Sequence, residues 1–171
     1  DALPGISLQY RAAERSALAR AELATIEPSL TIVESFDDLA TFNGVVVANE
    51  LMDNLPFRIV RGVEGGIVEV LVGIDPTDGA FSPVEAPVPI ELSEYAPALE
   101  PGEEAAVSLE TIRFVSRMAA IMLEGYVILI DYGTSGGSGG GEVHGYRNQR
   151  VVEDVLQAPG TSDITAGVDF D

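Results

Sequence analysis

Residues 45–56 read Val-Val-Val-Ala-Asn-Glu-Leu-Met-Asp-Asn-Leu-Pro, and no other segment constrains the fold as strongly. A β-branched run stops abruptly at Asn49-Glu50, and Asp53 and Pro56 follow closely. Apolar residues at successive positions predict a buried parallel strand over Val45–Ala48, covered on both faces. Open α/β sheets bind their ligands beyond the carboxyl ends of their strands. The strand therefore delivers Asn49, Glu50 and Asp53 to the place where such a fold keeps its site.

The chain has 171 residues, enough for one domain with a sizeable core, and 46% of them are hydrophobic. It carries 28 acids against 9 bases, every base an arginine, for a formal charge of -19. Such a charge repels phosphate backbones and anionic membranes, so no nucleic-acid partner is expected. A cationic protein partner suits it, and the plainer reading is that the charge serves solubility alone. Cysteine is absent, which removes disulfides, thiolate metal sites and thiol nucleophiles. The single histidine, His144, cannot build a multi-histidine metal centre, and no metal is expected. No stretch approaches the roughly 20 apolar residues that span a bilayer, and no secretory signal opens the chain. A soluble, cytoplasmic protein is predicted.

The order of elements points to an α/β sheet. Leu8–Ala13 reads as a short strand, Ala17–Thr25 as a helix capped by Ser16, and Leu30–Val33 as a second strand. Phe57–Val60 and Ile67–Val72 flank Gly65-Gly66 and predict an inserted antiparallel hairpin. Phe81–Pro101, rich in Pro and Glu, predicts an irregular surface loop. Ser108 predicts the N-cap of a helix whose core stripe is Leu109, Ile112, Val115, Ala119 and Met122, ending at Gly125. Tyr126–Ile130 predicts a second buried strand, stopping at Asp131-Tyr132-Gly133. Ser135–Gly141 has the composition of a flexible linker. It lacks the lysine and context of a phosphate-binding loop.

Three acids thus sit where strands should stop: Glu14, Glu50 and Asp131. A carboxylate after the second strand of a nucleotide-binding fold accepts hydrogen bonds from two vicinal ribose hydroxyls. A solvated acid at a helix start explains Glu14 equally well. Glu50 and Asp53 are three residues apart and face the same way if Asn49 opens a helical turn. Such a pair can hold a guanidinium in bidentate fashion or act as general acid and base. Spacing alone favours the plainer reading, a cap at Asn49 or Asp53 and an exposed Glu50.

Taken in order, the motifs carry a family resemblance. They are Ala12-Ala13-Glu14-Arg15-Ser16, Asn49-Glu50-Leu51-Met52-Asp53-Asn54-Leu55-Pro56, Ile130-Asp131-Tyr132-Gly133, Tyr146-Arg147, and Pro159-Gly160 with Asp163-Ile164-Thr165-Ala166-Gly167-Val168-Asp169-Phe170. The set resembles the MidA family of class I S-adenosylmethionine-dependent methyltransferases. Gln149 stands where that family often has histidine. The resemblance implies a Rossmann-like methyltransferase sheet with helices on both faces and an inserted hairpin. It also implies that the first strand and the Gly-rich loop lie upstream of this chain.

The resemblance further implies S-adenosylmethionine as cofactor and methyl transfer to a protein side chain, arginine being the expected acceptor. Glu14, Asp37 and Asn49 would be cofactor-binding, with Asp37 or Asp38 near adenine where a plain surface acid is the simpler reading, and Glu50 and Asp53 catalytic. The partial core is expected over 1–61 and 105–133, the hairpin and loop insertion over 62–104, and the linker with the C-terminal part of the core over 134–171. An incomplete sheet would expose apolar edges and favour a homo-oligomer. The alternative is a catalytically inactive acidic interaction module of the same fold.

Overall fold

The computed structural model describes residues 7–135, 141–152 and 154–170. The expected linker lies largely outside the described residues. The chain divides into two compact units, one holding residues up to Gly44 with Phe114–Gly125, the other Val45–Arg113 with Tyr126 onward.

The first unit opens with β1 (Arg11–Ala13), α1 (Ala17–Ile26) and β2 (Thr31–Val33). β1 and β2 pair in parallel, Ala12 opposite Ile32, so this is the predicted strand–helix–strand. Ser16 caps α1 by accepting from the Ala19 N–H at 3.3 Å. Further along, β3 spans Phe42–Asn49, and its last five residues, from Val45, belong to the second unit.

In the second unit β4 (Arg58–Val63) and β5 (Gly66–Ile74) form the expected hairpin. The segment expected as an irregular loop is more ordered than predicted. It contains β6 (Phe81–Pro87), the short α2 (Ile90–Ser93) and, just beyond, β7 (Glu104–Val107), in a four-stranded antiparallel sheet of order β6-β5-β4-β7. Pro83 and Pro87 disguise β6 in the sequence. A proline is tolerated on an edge strand, and β6 is the edge. Val60, Leu92, Ala105 and Val107 form the core beneath, with Val88, Ala96, Leu99 and Leu109 packed against it.

α3 spans Leu109–Ile121, and Ser108 accepts from the Thr111 N–H at 3.1 Å as predicted for its cap. Its buried stripe is Phe114, Met118 and Ile121, not the predicted set, and Val115 is exposed. The two registers differ by about one position, which rotates the inward face by about 100°. Phe36 fixes that register by an edge-to-face contact with Phe114, ring centres 5.3 Å apart. The helix stops before Gly125, because β8 already runs from Met122 to Ile130. Gly125 has φ 147 inside this strand, and a Cβ there would lie 1.7 Å from the Gly44 carbonyl oxygen. The glycine serves a close backbone approach, not a helix cap.

β3 and β8 are hydrogen-bonded neighbours. Neither is covered on both faces as predicted. Ala48 is buried, but Val47 is 64% exposed and Tyr126 74% exposed. Alternation of covered and open positions along β3 explains it. The β-branched run reflects the preference of such side chains for a pleated backbone, and only one face of it is covered.

The remaining strands are β9 (Gly133–Thr134), β10 (Val143–Arg147), β11 (Arg150–Val152), β12 (Asp163–Ala166) and β13 (Val168–Asp169). β10 and β11 form a hairpin whose two central residues, Asn148 and Gln149, have φ 51 and 62. That is the type I′ geometry that matches strand twist. β12 pairs with the other side of β10, and β13 runs parallel to β9. No helix among the described residues is long and apolar enough to cross a membrane.

Candidate functional site

Each of the three predicted strand-end acids directly follows a strand: Glu14 after β1, Glu50 after β3, Asp131 after β8. Glu50, Asn49, Asp53 and Asp131 belong to the second unit, Glu14 and Asp37 to the first.

In the second unit Asn49 is the last residue of β3 and is exposed. Glu50 follows with φ 48, a left-handed conformation that a side chain adopts at a cost of about 1–2 kcal/mol. Its N–H donates to the Ile130 carbonyl at 2.8 Å, which carries the β3–β8 pairing one residue past the strand. The helical turn expected from Asn49 is instead a 3-10 turn over Met52–Asn54. Asp131 caps that turn. Its Oδ2 accepts from the N–H groups of Met52 at 2.9 Å and Asp53 at 3.2 Å, and its Oδ1 from Tyr132 N–H at 3.0 Å. A carboxylate accepting backbone N–H groups makes charge-assisted bonds at the positive end of the turn.

Glu50 and Asp53 do not present themselves alike. Glu50 is exposed, and its carboxylate takes no hydrogen bond from the described residues. Asp53 is 3% exposed and accepts from the Asn54 amide at 2.8 Å. Beside it the Tyr132 hydroxyl donates to buried Thr165 Oγ1 at 2.6 Å. Burial raises the Tyr132 pKa, and hydrogen bonding to Asp53 and the Asp53 charge raise it further, against the opposing bond to Thr165. Tyr132, Thr165 and the capping role of Asp131 escaped the sequence reading. The Asp-Tyr-Gly motif carried two of them, but nothing local indicated their partners 33 to 79 positions away.

In the first unit Glu14 is half-buried. Its N–H donates to the Val33 carbonyl at 3.0 Å, and its Oε1 accepts from the Ser16 N–H at 2.7 Å. Arg20 of α1 braces this corner, donating to the carbonyls of Glu14 and Arg15 and to the Glu34 carboxylate. Asp37 sits in a 3-10 turn over Phe36–Asp38, and Arg117 of α3 donates to the carbonyls of Asp37 and Leu39 at 3.0 and 2.9 Å. Among the described residues no group of three or more potential metal ligands comes together. The second unit also holds a cavity of about 290 Å³ lined by Ile59, Glu104–Ala106 and Gly141–His144, none of which belongs to the strand-end cluster.

Residues 5–171 match the sequence model of a family described as "Putative S-adenosyl-L-methionine-dependent methyltransferase". The chain belongs to this methyltransferase family. Among its curated relatives, the mitochondrial protein arginine methyltransferase NDUFAF7 of Danio rerio is 31% identical over 140 residues, 80% of this chain and 33% of that protein. The homologue from Drosophila melanogaster is 32% identical over 149 residues, 78% of this chain and 32% of that protein. The chain thus spans about a third of the length of the curated relatives it matches.

Two crystal structures from Burkholderia thailandensis share its fold. One superposes with a TM-score of 0.80 at 25% identity, covering 95% of this chain and 47% of that one. The other, a superfamily member bound to S-adenosyl-homocysteine, gives 0.78 at 26% identity, covering 95% and 46%. The Rossmann-like α/β expectation agrees with both. The cytoplasmic expectation does not stand: the matched relatives are named as mitochondrial proteins. An absent transmembrane stretch and an unremarkable opening segment were too weak a basis for a compartment.

Proposed function

We propose that this chain forms part of an S-adenosylmethionine-dependent methyltransferase that acts on arginine side chains of a protein. One observation carries the reading. Glu50 offers an exposed carboxylate, without donors from the described residues, at the tip of β3 in a backbone conformation that costs energy. Strain of this kind concentrates where chemistry requires it. The names of the curated relatives support arginine as acceptor.

The residues present suit the cofactor's polar groups. Glu14 is half-buried at a strand end with one oxygen engaged by Ser16, and it takes the ribose hydroxyls. In this reading Asn49, the last residue of β3, also serves the cofactor, and Asp37 is the residue assigned to adenine. When bound, S-adenosylmethionine supplies a methyl group made electrophilic by the positive sulfur. Glu50 accepts two guanidinium N–H bonds, orienting the acceptor nitrogen and localising its charge. Asp53, being buried, stiffens the turn through Asn54 and Tyr132 and so keeps Glu50 on station.

The test is methyl transfer to an arginine-bearing protein by the intact enzyme and by Glu50→Gln. A fall of about 100-fold in kcat/KM is expected. An unchanged value would remove Glu50 from the reaction. Calorimetry with S-adenosylhomocysteine separates the rival reading. A folded sample that releases no heat favours an inactive acidic interaction module.

A further inference from the structure

We infer that the outer half of the β5–β6 hairpin docks a partner protein segment in which arginine or lysine alternates with apolar side chains. The inference is independent of methyl transfer, since no residue of the strand-end cluster takes part. β4 accompanies β5 only as far as the Ile59–Val70 pair. Beyond it, Leu71–Ile74 has β6 as its one strand partner among the described residues. Val72 lies opposite Pro83 and Ile74 opposite Phe81, so these four share one face, and Leu71 and Val84 share the other. The apolar side chains on both faces are open to solvent, with Ile74 67% and Val72 58% exposed.

A two-stranded ribbon is marginal without support, and a contiguous exposed apolar patch marks an interaction surface. This ribbon is nevertheless well formed. Its tip closes through Asp75 N–H to the Ala80 carbonyl and Gly79 N–H to the Asp75 carbonyl, both 2.8 Å. The Asp75 and Asp78 carboxylates accept from the Thr77 and Ala80 N–H groups at 2.7 and 2.9 Å. Gly73 leaves room for the Val84 side chain, since a Cβ there would meet a Val84 methyl at 2.4 Å.

Charge names the occupant. Residues 63–112 contain eleven acids and no arginine, lysine or histidine. Glu69 and Glu110 pair with Arg58 and Arg113, and Glu85 and Glu104 share Arg61. Asp75 and Asp78, at the tip of the ribbon, have no cationic partner among the described residues. A second copy would bring its own charge of -19 against this face, so self-association is opposed. A basic segment is attracted, and its apolar side chains cover the ribbon. Pro83 and Pro87 lie along the outer edge of β6 and block addition of a further strand, so docking is to a face.

The test uses the whole chain and a fluorescent peptide alternating arginine with valine and isoleucine, titrated at low and near-physiological salt. Saturable binding that weakens with salt is expected. The double variant Ile74→Ser/Phe81→Ser should bind about tenfold more weakly. Asp75→Asn/Asp78→Asn keeps the turn acceptors and should lose about threefold, with a flatter salt dependence. Melting curves of both variants should match the parent. The proposal is overturned if a glutamate-for-arginine peptide binds as well, or if the serine variant keeps full affinity. Sedimentation showing a dimer that the serine variant abolishes would make a second copy the occupant and overturn it equally.

Discussion

The Asp131 carboxylate accepts from the Met52 backbone N–H at 2.9 Å, joining the end of β8 to the turn after β3 across 79 positions of sequence. One oxygen serves both Met52 and Asp53, and Met52 is buried. Asp131→Ala strips these N–H groups of their acceptor and should cost about 2–3 kcal/mol. Asp131→Asn retains an acceptor oxygen without the charge and should cost about half as much. Urea denaturation of the three proteins checks the order. Equal midpoints would mean the turn does not depend on this cap.

Tyr132 gives the same cluster a dependence on alkaline pH. Its hydroxyl titrates above the ordinary value of 10.0 because of burial and Asp53. The folded state therefore holds the proton longer than the unfolded chain does. Its contribution is complete below about pH 10 and falls as pH rises through the folded pKa. Tyr132→Phe should lose about 1 kcal/mol at neutral pH through the missing hydrogen bond. It should also show a shallower loss of stability in the alkaline range. Parallel denaturation curves for the two proteins at high pH would contradict this assignment.

Gly125 and Gly79 both have positive φ, yet they should respond differently to alanine. At Gly125 the new Cβ would meet the Gly44 carbonyl oxygen at 1.7 Å, with φ 147. Backbone must move, and a loss above about 3 kcal/mol is expected. At Gly79, φ 74, nothing lies within 4 Å of the added carbon. Only the left-handed strain remains, about 1 kcal/mol. Thermal melting of the two variants measures the contrast.

Arg58 holds Glu69 by two parallel bonds, Nε to Oε1 at 2.5 Å and Nη2 to Oε2 at 2.7 Å. The Glu69 side chain is only 4% exposed, so removing its partner strands a buried carboxylate. Arg58→Ala should cost about 3 kcal/mol. Replacing the pair together, Arg58→Met with Glu69→Leu, should recover most of that loss. A double variant no more stable than Arg58→Ala would show that the pair is worth more than apolar packing in its place.

Local signals in the sequence were legible where a local interaction decides the structure. Ser16 and Ser108 cap their helices, and Gly65 turns the β4–β5 hairpin at φ 86, because each depends on neighbours within a few residues. The strand-end positions of Glu14, Glu50 and Asp131 were legible for the same reason. β6 was hidden because proline argues against a strand except at an edge, and edge status belongs to the assembled sheet. The α3 stripe slipped because Phe36, far away in sequence, selects which face turns inward. Tyr132 and Thr165 were unreadable as partners, since 33 positions of sequence separate them and only the assembled strands bring them together. Tertiary partners, not propensity, set what was missed.

Glu50 offers the sharpest separation of stability from function. At φ 48 a glycine would relieve strain of about 1 kcal/mol, so Glu50→Gly should make the protein more stable by nearly that amount. Glu50→Ala keeps the strain and should leave stability within about 0.5 kcal/mol of the parent, because the side chain is exposed. Both remove the carboxylate, and in the intact enzyme both should lose methyl transfer alike. Higher stability together with lost transfer would assign this strained residue to function and not to folding. If Glu50→Gly were less stable than the parent, the carboxylate would be holding the turn together, and the strain at this position would give no support to a role in catalysis.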